Sequence, residues 1–161
     1  MPDAHLTQVE KAIELALDSL KKESGGYLKQ VESISTRPDE ELAAGELVFS
    51  YPAVLINFDG GPIDKAGNSP HYDMGLEFTL YLLDASLRGD EERRRGSGIA
   101  GEPPGLYKML EDVLGLLDEK VLLTGLGPLR FAGRINMIMG MMGAVALTVS
   151  FVVPDRYPFS D

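Results

Sequence analysis

Residues 74–83 alternate between large apolar side chains and smaller or polar ones with a period of two. The apolar side chains share one side of this segment: Met74, Leu76, Phe78, Leu80 and Leu82. Successive side chains of a β-strand point to opposite faces of its sheet, so the pattern predicts a strand over Met74–Leu83 with one buried face. The other face, with Glu77 and Thr79, is expected to be wet or only lightly covered, as in antiparallel sheets.

Further segments carry strand signals of varying strength: residues 27–35, Ala53–Phe58, Val121–Arg130, Gly133–Met139 and Ala144–Val153. Pro52 stands at the start of the second of these, where its missing N–H does little harm. Gly125, Gly127 and Pro128 interrupt the third. Glycine-rich residues 140–143 join the last two segments, which predicts a β-hairpin.

Two segments have helical periodicity. In residues 7–23 the apolar positions fall on one face: Val9, Ile13, Ala16, Leu17 and Leu20. Thr7 and Glu10 have capping-box spacing, and Gly25–Gly26 predicts the helix end. In residues 105–117 the apolar face comprises Leu106, Leu110, Val113, Leu114 and Leu117. Pro38 and the acidic residues after it predict one short helical turn.

The order of these elements predicts an α+β fold, with a mostly antiparallel sheet and two main helices packed on one face. A length of 161 residues fits one domain, 1–161. Residues 59–73 and 84–104 are rich in turn-forming and polar residues and are predicted to form long loops.

The chain has no cysteine and a formal net charge of −10. The first property excludes disulfides, thiolate metal sites and a cysteine nucleophile. The second disfavours nucleic-acid and anionic-membrane binding, because an acidic surface repels phosphate. Residues 135–154 lack charge and are long enough to span a bilayer. Their alternation favours strands instead, so we expect a soluble protein with no membrane partner.

Three short motifs invite functional interpretations. Residues 96–101 spell G-x-G-x-x-G, but they do not directly follow a strand, and Pro103 and Pro104 interrupt the helix entry that a dinucleotide site requires. Glu102 stands where a phosphate-binding loop needs lysine. Arg88-Gly89-Asp90 matches a cell-adhesion tripeptide, a match that turn chemistry explains. We therefore predict no cofactor.

Oxygen and nitrogen donors concentrate in the first long loop: Asp59, Asp64, Asn68, His71 and Asp73. A small-ligand or calcium-binding module in residues 59–73 is thus the alternative function, although the spacing is not that of an EF-hand. A hydrolase with paired carboxylates is a third hypothesis, and no sequence feature singles out its acids. No catalytic set is evident, and we predict that the chain is not an enzyme.

Arg93-Arg94-Arg95 follows three acidic residues, so this loop is nearly neutral in total. The run is consistent with a solvated tip or with a docking loop that pairs with an acidic surface of a neighbour.

Three stretches taken together resemble the tail-terminator family of Mu-like phages and prophages. They are Phe49–Gly60, with a Pro-Ala pair that opens an apolar strand, the arginine- and glycine-rich loop that leads into Gly105–Leu114, and Gly125–Arg130 after that helix. The resemblance implies an α+β domain with helices on a sheet. It also implies a ring, typically hexameric, that caps the tail tube at its head-proximal end and presents a surface for the head connector.

The implied partners are further copies of the chain, the tail tube protein and the head–tail connector protein, with DNA only in transit. The implied location is the virion tail, assembled in the bacterial cytoplasm. The family brings no catalytic residues. Within this hypothesis we predict the following subunit or tube contacts: Arg88, Arg93, Arg94, Arg95, Asp59 and Asp64.

Overall fold

The computed structural model describes residues 3–35, 38–40, 51–65, 67–85, 94–98, 104–139 and 144–157. The helices in these ranges are α1 (His5–Ala16) and α2 (Leu106–Leu117). The strands are β1 (Gln30–Ile34), β2 (Ala53–Gly60), β3 (Ile63–Asp64), β4 (Tyr72–Ala85), β5 (Arg130–Phe131), β6 (Asn136–Met139) and β7 (Ala144–Tyr157). The predicted α+β class is confirmed.

The strands form one sheet in the order β1–β2–β4–β7–β5. β3 pairs with β4 on its β2 side, and β6 pairs with β7 on its β5 side. β4 and β7 are the long central strands, which pair from Tyr72 with Tyr157 to Ala85 with Ala144. β1 and β2 are parallel, so the expectation of antiparallel neighbours is wrong for this pair. Parallel strands need a crossover connection, and the chain between Ile34 and Ala53 supplies it.

Both helices pack on one face of the sheet, here called the helix face. α1 buries Val9 and Ile13, and α2 buries Leu106, Met109, Val113 and Leu117. Leu110 and Leu114, which periodicity also assigns to the buried stripe of α2, are half-buried, and Met109 takes a fully buried position instead. Phe78 on β4 and Phe151 on β7 are register partners, and their ring centroids lie 5.4 Å apart. Both rings belong to the core that the two helices cover.

The opposite face of the sheet is more deeply covered than the alternation of β4 predicts. Thr79 and Tyr81 are buried, and a second apolar cluster contains Leu55 and Leu83. The Tyr81 hydroxyl donates to the carboxylate of Asp39, which places the segment 38–40 against this face. The prediction of a wet or lightly covered face is therefore wrong at this end of β4, because Asp39 bonds to Tyr81 and the half-buried Ile34 and Tyr51 pack against the second cluster.

α1 is shorter than predicted, and its start differs. The helix ends at Ala16, and two 3₁₀ turns follow it, Asp18–Leu20 and Lys22–Ser24. After these turns the chain folds back, because the Leu20 carbonyl accepts hydrogen bonds from the amides of Tyr27 and Leu28. The expected capping box at Thr7 is absent, since Ala4 is the N-cap and no side chain caps the helix.

One predicted loop and one predicted strand are also wrong. Residues 59–73 are not all loop, because β2 continues to Gly60, β3 follows, and β4 begins at Tyr72. Residues 121–130 are mostly irregular and contribute only the first residue of β5. A closed turn forms there, in which the Glu119 amide donates to the Leu129 carbonyl and the Leu129 amide donates to the Lys120 carbonyl.

The pairing of β6 with β7 confirms the predicted hairpin partners, and the predicted turn at residues 140–143 lies outside the described residues. Most of the charge-free segment 135–154 therefore lies in strands. No helix in the described part of the chain is long and apolar enough to cross a membrane.

Candidate assembly surfaces

An apolar groove of about 440 Å³ opens on the helix face at the edge of the sheet that carries β3. This groove, here called the β3 groove, lies between the start of α1, the β2–β3 turn and β4. Its lining comprises Ala4, His5, Leu6, Phe58, Gly60, Gly61, Pro62, Ile63, Met74 and Leu76. Leu6 is 40 % exposed and Ile63 is 64 % exposed. Two large apolar side chains are thus exposed at one groove, which makes it a candidate contact surface.

The β2–β3 turn reaches β4 because glycine occupies a position that no other residue fits. Gly61 has φ of +146°, and a Cβ there would lie 1.8 Å from the carbonyl oxygen of Gly75. The turn is closed by a hydrogen bond of 3.1 Å from the Gly75 amide to the Pro62 carbonyl. This close backbone approach holds Ile63 beside Met74, its register partner on β4.

His5 lines the groove and anchors the start of α1 to the end of β7. Its Nε2 atom lies 2.5 Å from Oδ2 of Asp155, whose side chain is fully buried. The other carboxylate oxygen of Asp155 is also buried and has no hydrogen-bond partner among the described residues. Because a buried carboxylate is costly unless it is paired, His5 is committed to Asp155 and is not a spare ligand within the groove.

A second exposed apolar surface lies at the opposite edge of the sheet. β6 pairs with β7 on one side, and its other side carries no strand among the described residues. Ile135 is 59 % exposed and Met137 is 40 % exposed. Arg134 is exposed as well, and it forms none of the ion pairs of the described residues. The three residues together are here called the β6 edge.

The arginine segment is only partly described. Arg88 and Arg93, both predicted contacts, lie outside the described residues. Arg94 is half-buried, and its Nη1 donates to the Tyr107 hydroxyl at 3.4 Å, whereas Arg95 is exposed. The arginine segment thus starts against α2 and reaches the surface at Arg95.

Only residues 96–98 of the glycine motif are described, and Gly96 lies where two backbone segments pass in close contact. Gly96 and Gly105 both have positive φ, and a Cβ on Gly105 would lie 2.3 Å from the Gly96 amide nitrogen. The segment of residues 94–96 therefore contacts the start of α2. This contact accounts for Gly96 without a phosphate ligand.

The acidic residues of the first loop do not converge on one point. Asp59 accepts hydrogen bonds from Asn57 at 2.6 Å and from Thr79. Asp73 accepts from Arg156 at 2.9 Å, and Asp64 lies exposed opposite Asp73 across β3 and β4. The described residues contain no group of three or more His, Asp or Glu side chains placed to hold a metal ion. His71 donates its backbone amide to Ser69, which is a turn contact.

A partly buried hydrogen bond links the approach to β1 with α2. The Tyr27 hydroxyl donates to Asp112 at 2.9 Å, and Lys108 pairs with the other oxygen of that carboxylate. Burial raises the pKa of Tyr27 well above its ordinary value, and the hydrogen bond and the charge of Asp112 raise it further. A tyrosine that holds its proton this firmly links two elements of the fold, and we assign it a structural role.

The described surface is that of a small α+β domain with apolar patches at two edges of its sheet. A similar fold occurs in a chain of the solved structure described as "Virion of native gene transfer agent (GTA) particle". The TM-score is 0.54 at 11 % sequence identity, and the match covers 96 % of this chain and 99 % of that one. At this identity the similarity concerns the fold.

The sequence identifies the family. The chain belongs to the family described as Bacteriophage Mu, Gp37, whose profile matches residues 5–149. The resemblance to a family of Mu-like phages is thereby confirmed. No curated protein matches the sequence.

The sequence alone predicts neither the β3 groove nor the β6 edge. Ile63 lies in a segment predicted as loop, and Leu6 precedes the predicted helix start. An isolated apolar residue among turn formers was the available signal for Ile63. For the β6 edge the alternation of residues 133–139 predicted a strand, but the sequence did not show which strand would lie at the edge.

Proposed function

We propose that this chain is a structural protein of a phage or prophage tail, namely a tail terminator. In this function several copies form a ring that caps the tail tube and presents the head-joining surface. The observation that carries the proposal is the family match over residues 5–149. The fold similarity to a chain from a gene transfer agent virion supports it.

The proposed partners are other copies of the chain in a ring, with six as the expected number, the tail tube protein and the head–tail connector protein. Assembly takes place in the bacterial cytoplasm, and the final location is the virion tail. DNA passes through the ring without being held. A net charge of −10 suits such a passage, because an acidic lining repels phosphate.

The described surface favours assembly over catalysis. Large apolar side chains are exposed at two edges of the sheet, and the β3 groove is lined almost wholly by apolar groups. Its histidine is committed to Asp155. Exposed apolar patches of this kind mark contacts with other proteins more often than reactive sites.

The calcium-binding alternative has no observation in its favour among the described residues. Two of its five candidate ligands, Asp59 and Asp73, already accept hydrogen bonds from neighbouring side chains. Asp64 lies directly opposite Asp73 across two strands and does not share a site with Asp59.

The proposal is tested by deleting the gene from its phage or prophage and examining the tails by electron microscopy. Without a terminator, tube growth has no stop, so we expect tubes of variable and excessive length that lack heads. Expression of the intact chain in trans should restore tails of uniform length joined to heads.

Mass spectrometry of purified virions provides the second readout. The chain should be present in a few copies per particle, in the number that one ring requires. Tails of normal length after the deletion, together with absence of the chain from virions, would refute the proposed function.

A further inference from the structure

The β3 groove and the β6 edge lie on the same face of the sheet but at opposite edges. β3 pairs with β4 on the side away from β7, and β6 pairs with β7 on the side away from β4. Met74, the partner of Ile63, packs against the core under the helices, and Leu147, the partner of Met137, belongs to that core. The β3 groove is a hollow of about 440 Å³, whereas Arg134 and Ile135 border a smaller one of about 210 Å³, so the two patches are unlike surfaces.

The charges beside the two patches have opposite sign. Asp64, the sequence neighbour of Ile63, is exposed, makes no ion pair with the described residues and lies across from Asp73. Like charges directly opposite each other on neighbouring strands are unfavourable, and Arg156 supplies a cation to Asp73 alone. Lys65 lies over the ring of Tyr72, 5.3 Å from its centroid.

At the other edge, Arg134 is the sequence neighbour of Ile135 and is likewise without an ion pair among the described residues. Within the described part of the chain, each patch therefore couples an exposed isoleucine to a charge that has no counter-ion. The charge that adjoins Ile63 is negative, with the neighbouring Lys65 engaged on the Tyr72 ring, and the charge that adjoins Ile135 is positive. This charge complementarity selects a second copy of the chain as the occupant of the groove.

A small molecule fits the groove less well. Ligand sites combine apolar walls with a few convergent polar groups that fix orientation. Of the described residues that line the β3 groove, only His5 is ionisable, and it is held by Asp155.

We propose that the β6 edge of one copy docks on the β3 groove of the next, with Ile135 against Ile63 and Arg134 against Asp64. Because the two surfaces differ, the contact is head-to-tail, and repetition of such a contact closes a ring when the rotation between copies allows it. The inference rests on the proposed ring function and names the surfaces that would form the ring.

Disulfide cross-linking tests the contact, since the chain has no cysteine of its own. The double variant Ile63→Cys with Ile135→Cys is oxidised alone and in the presence of tail tubes, and the products are separated without reductant. A head-to-tail contact should give a ladder of covalent species beyond the dimer. Each single variant should give none of the ladder.

The matched control pairs Ile63→Cys with Val121→Cys, because Val121 and Ile135 are equally exposed at 59 %. This pair should remain uncross-linked beyond the background of the single variants. All substitutions are at exposed positions, and an unchanged Tm establishes that the variants fold.

A charge exchange tests the ionic part of the contact. Arg134→Asp alone should weaken self-association by about fivefold, and addition of Asp64→Arg should restore most of it. The readout is sedimentation velocity with and without tubes.

The outcomes separate this contact from the proposed function. Rings seen by electron microscopy without cross-linking between positions 63 and 135 would overturn the contact and leave the ring function standing. Dimers from either single cysteine variant, with no ladder from the double variant, would show a two-fold contact and also overturn it. A chain that stays monomeric and binds no tubes would refute both.

Discussion

The pair of His5 and Asp155 is the residue-level feature on which the start of α1 depends. The Asp155 side chain is fully buried, and one of its two oxygens has no partner among the described residues. The hydrogen bond that offsets the free-energy cost of burying this carboxylate is therefore made by the other oxygen, which lies 2.5 Å from Nε2 of His5. Because α1 has no side-chain cap, this contact also replaces the missing cap as the anchor of the helix start.

Replacement of His5 by alanine should therefore destabilise the protein strongly. Removal of one partner from a buried pair leaves an uncompensated charge, so we expect the free energy of unfolding to fall by about 3 kcal/mol. Urea denaturation at neutral pH measures the change. His71→Ala, at the other histidine of the chain, is the control and should cost much less. Equal small losses for the two variants would show that the contact carries little stability.

At the scale of elements, the glycine that begins α2 permits a close crossing of two chain segments. Gly105 is the N-cap of α2, is buried and has φ of +89°. A Cβ at this position would lie 2.3 Å from the Gly96 nitrogen and 2.7 Å from the Arg95 carbonyl carbon. These are backbone atoms, so a clash cannot be relieved by rotation of a side chain.

Gly105→Ala should destabilise the protein more than the positive φ of residue 105 alone explains. Gly25→Ala separates the two effects, because Gly25 also has φ of +89° but a Cβ there would meet no described atom within 4 Å. We expect a loss of about 1 kcal/mol at Gly25 from the left-handed conformation. At Gly105 we expect about 3 kcal/mol or more, because the segment before α2 must also move. Thermal denaturation compares the variants, and similar losses would argue against a tight crossing.

The hydrogen bond between Tyr27 and Asp112 links the approach to β1 with α2, and its contribution should depend on pH. Burial and the neighbouring carboxylate raise the pKa of Tyr27 above its unfolded value of about 10. The folded state therefore keeps the proton where the unfolded state loses it. The stabilisation is complete below about pH 10 and declines as the pH rises above that value.

Tyr27→Phe should accordingly cost about 1 kcal/mol at about pH 8, and the cost should shrink as the pH approaches about 11. The measurement is urea denaturation of the variant and the parent protein at both pH values. Tyr72→Phe, at an exposed tyrosine, is the control for the general alkaline loss of stability. A cost that grows with pH would contradict the assigned direction of the pKa change.

The elements that the sequence predicts well are those in which the periodic apolar residues are also the residues that the fold buries. α2, β2, β4 and the β6–β7 pair carry regular spacing over most of their length. The return of the chain after α1 is held by hydrogen bonds from Tyr27 and Leu28 to the Leu20 carbonyl, which no local pattern encodes. β3 has two residues, too few for periodicity, and exists because Gly61 lets the turn approach β4.

The candidate surfaces were less predictable than the fold. The sequence suggests the charged loops, and Asp64 is indeed exposed at one apolar edge. The β3 groove combines residues from α1, the β2–β3 turn and β4, which are far apart in the chain. Only the strand order reveals that Ile63 and Ile135 lie at opposite edges of the same sheet.

For the whole molecule, the net charge opposes the assembly that the surface patches favour. Each copy carries a formal charge of −10, so neighbours in the proposed ring would repel each other over a distance set by the ionic strength. The proposed contact supplies one attractive pair, Arg134 with Asp64, and an apolar part that salt does not weaken. Repulsion between whole subunits should exceed the attraction of a single exposed pair, which contributes about 0.2–1 kcal/mol.

Association of the chain should therefore strengthen as salt is added. The screening length falls from about 30 Å at about 0.01 M to about 8 Å at about 0.15 M, which removes most of the repulsion between neighbours. Light scattering at a fixed protein concentration and increasing NaCl should show a rising average mass, with or without tail tubes. Arg134→Asp removes the attractive pair and adds negative charge, so this variant should need more salt to reach the same mass. Association that weakens steadily with salt would show that ionic contacts, and not the apolar edges, hold the copies together.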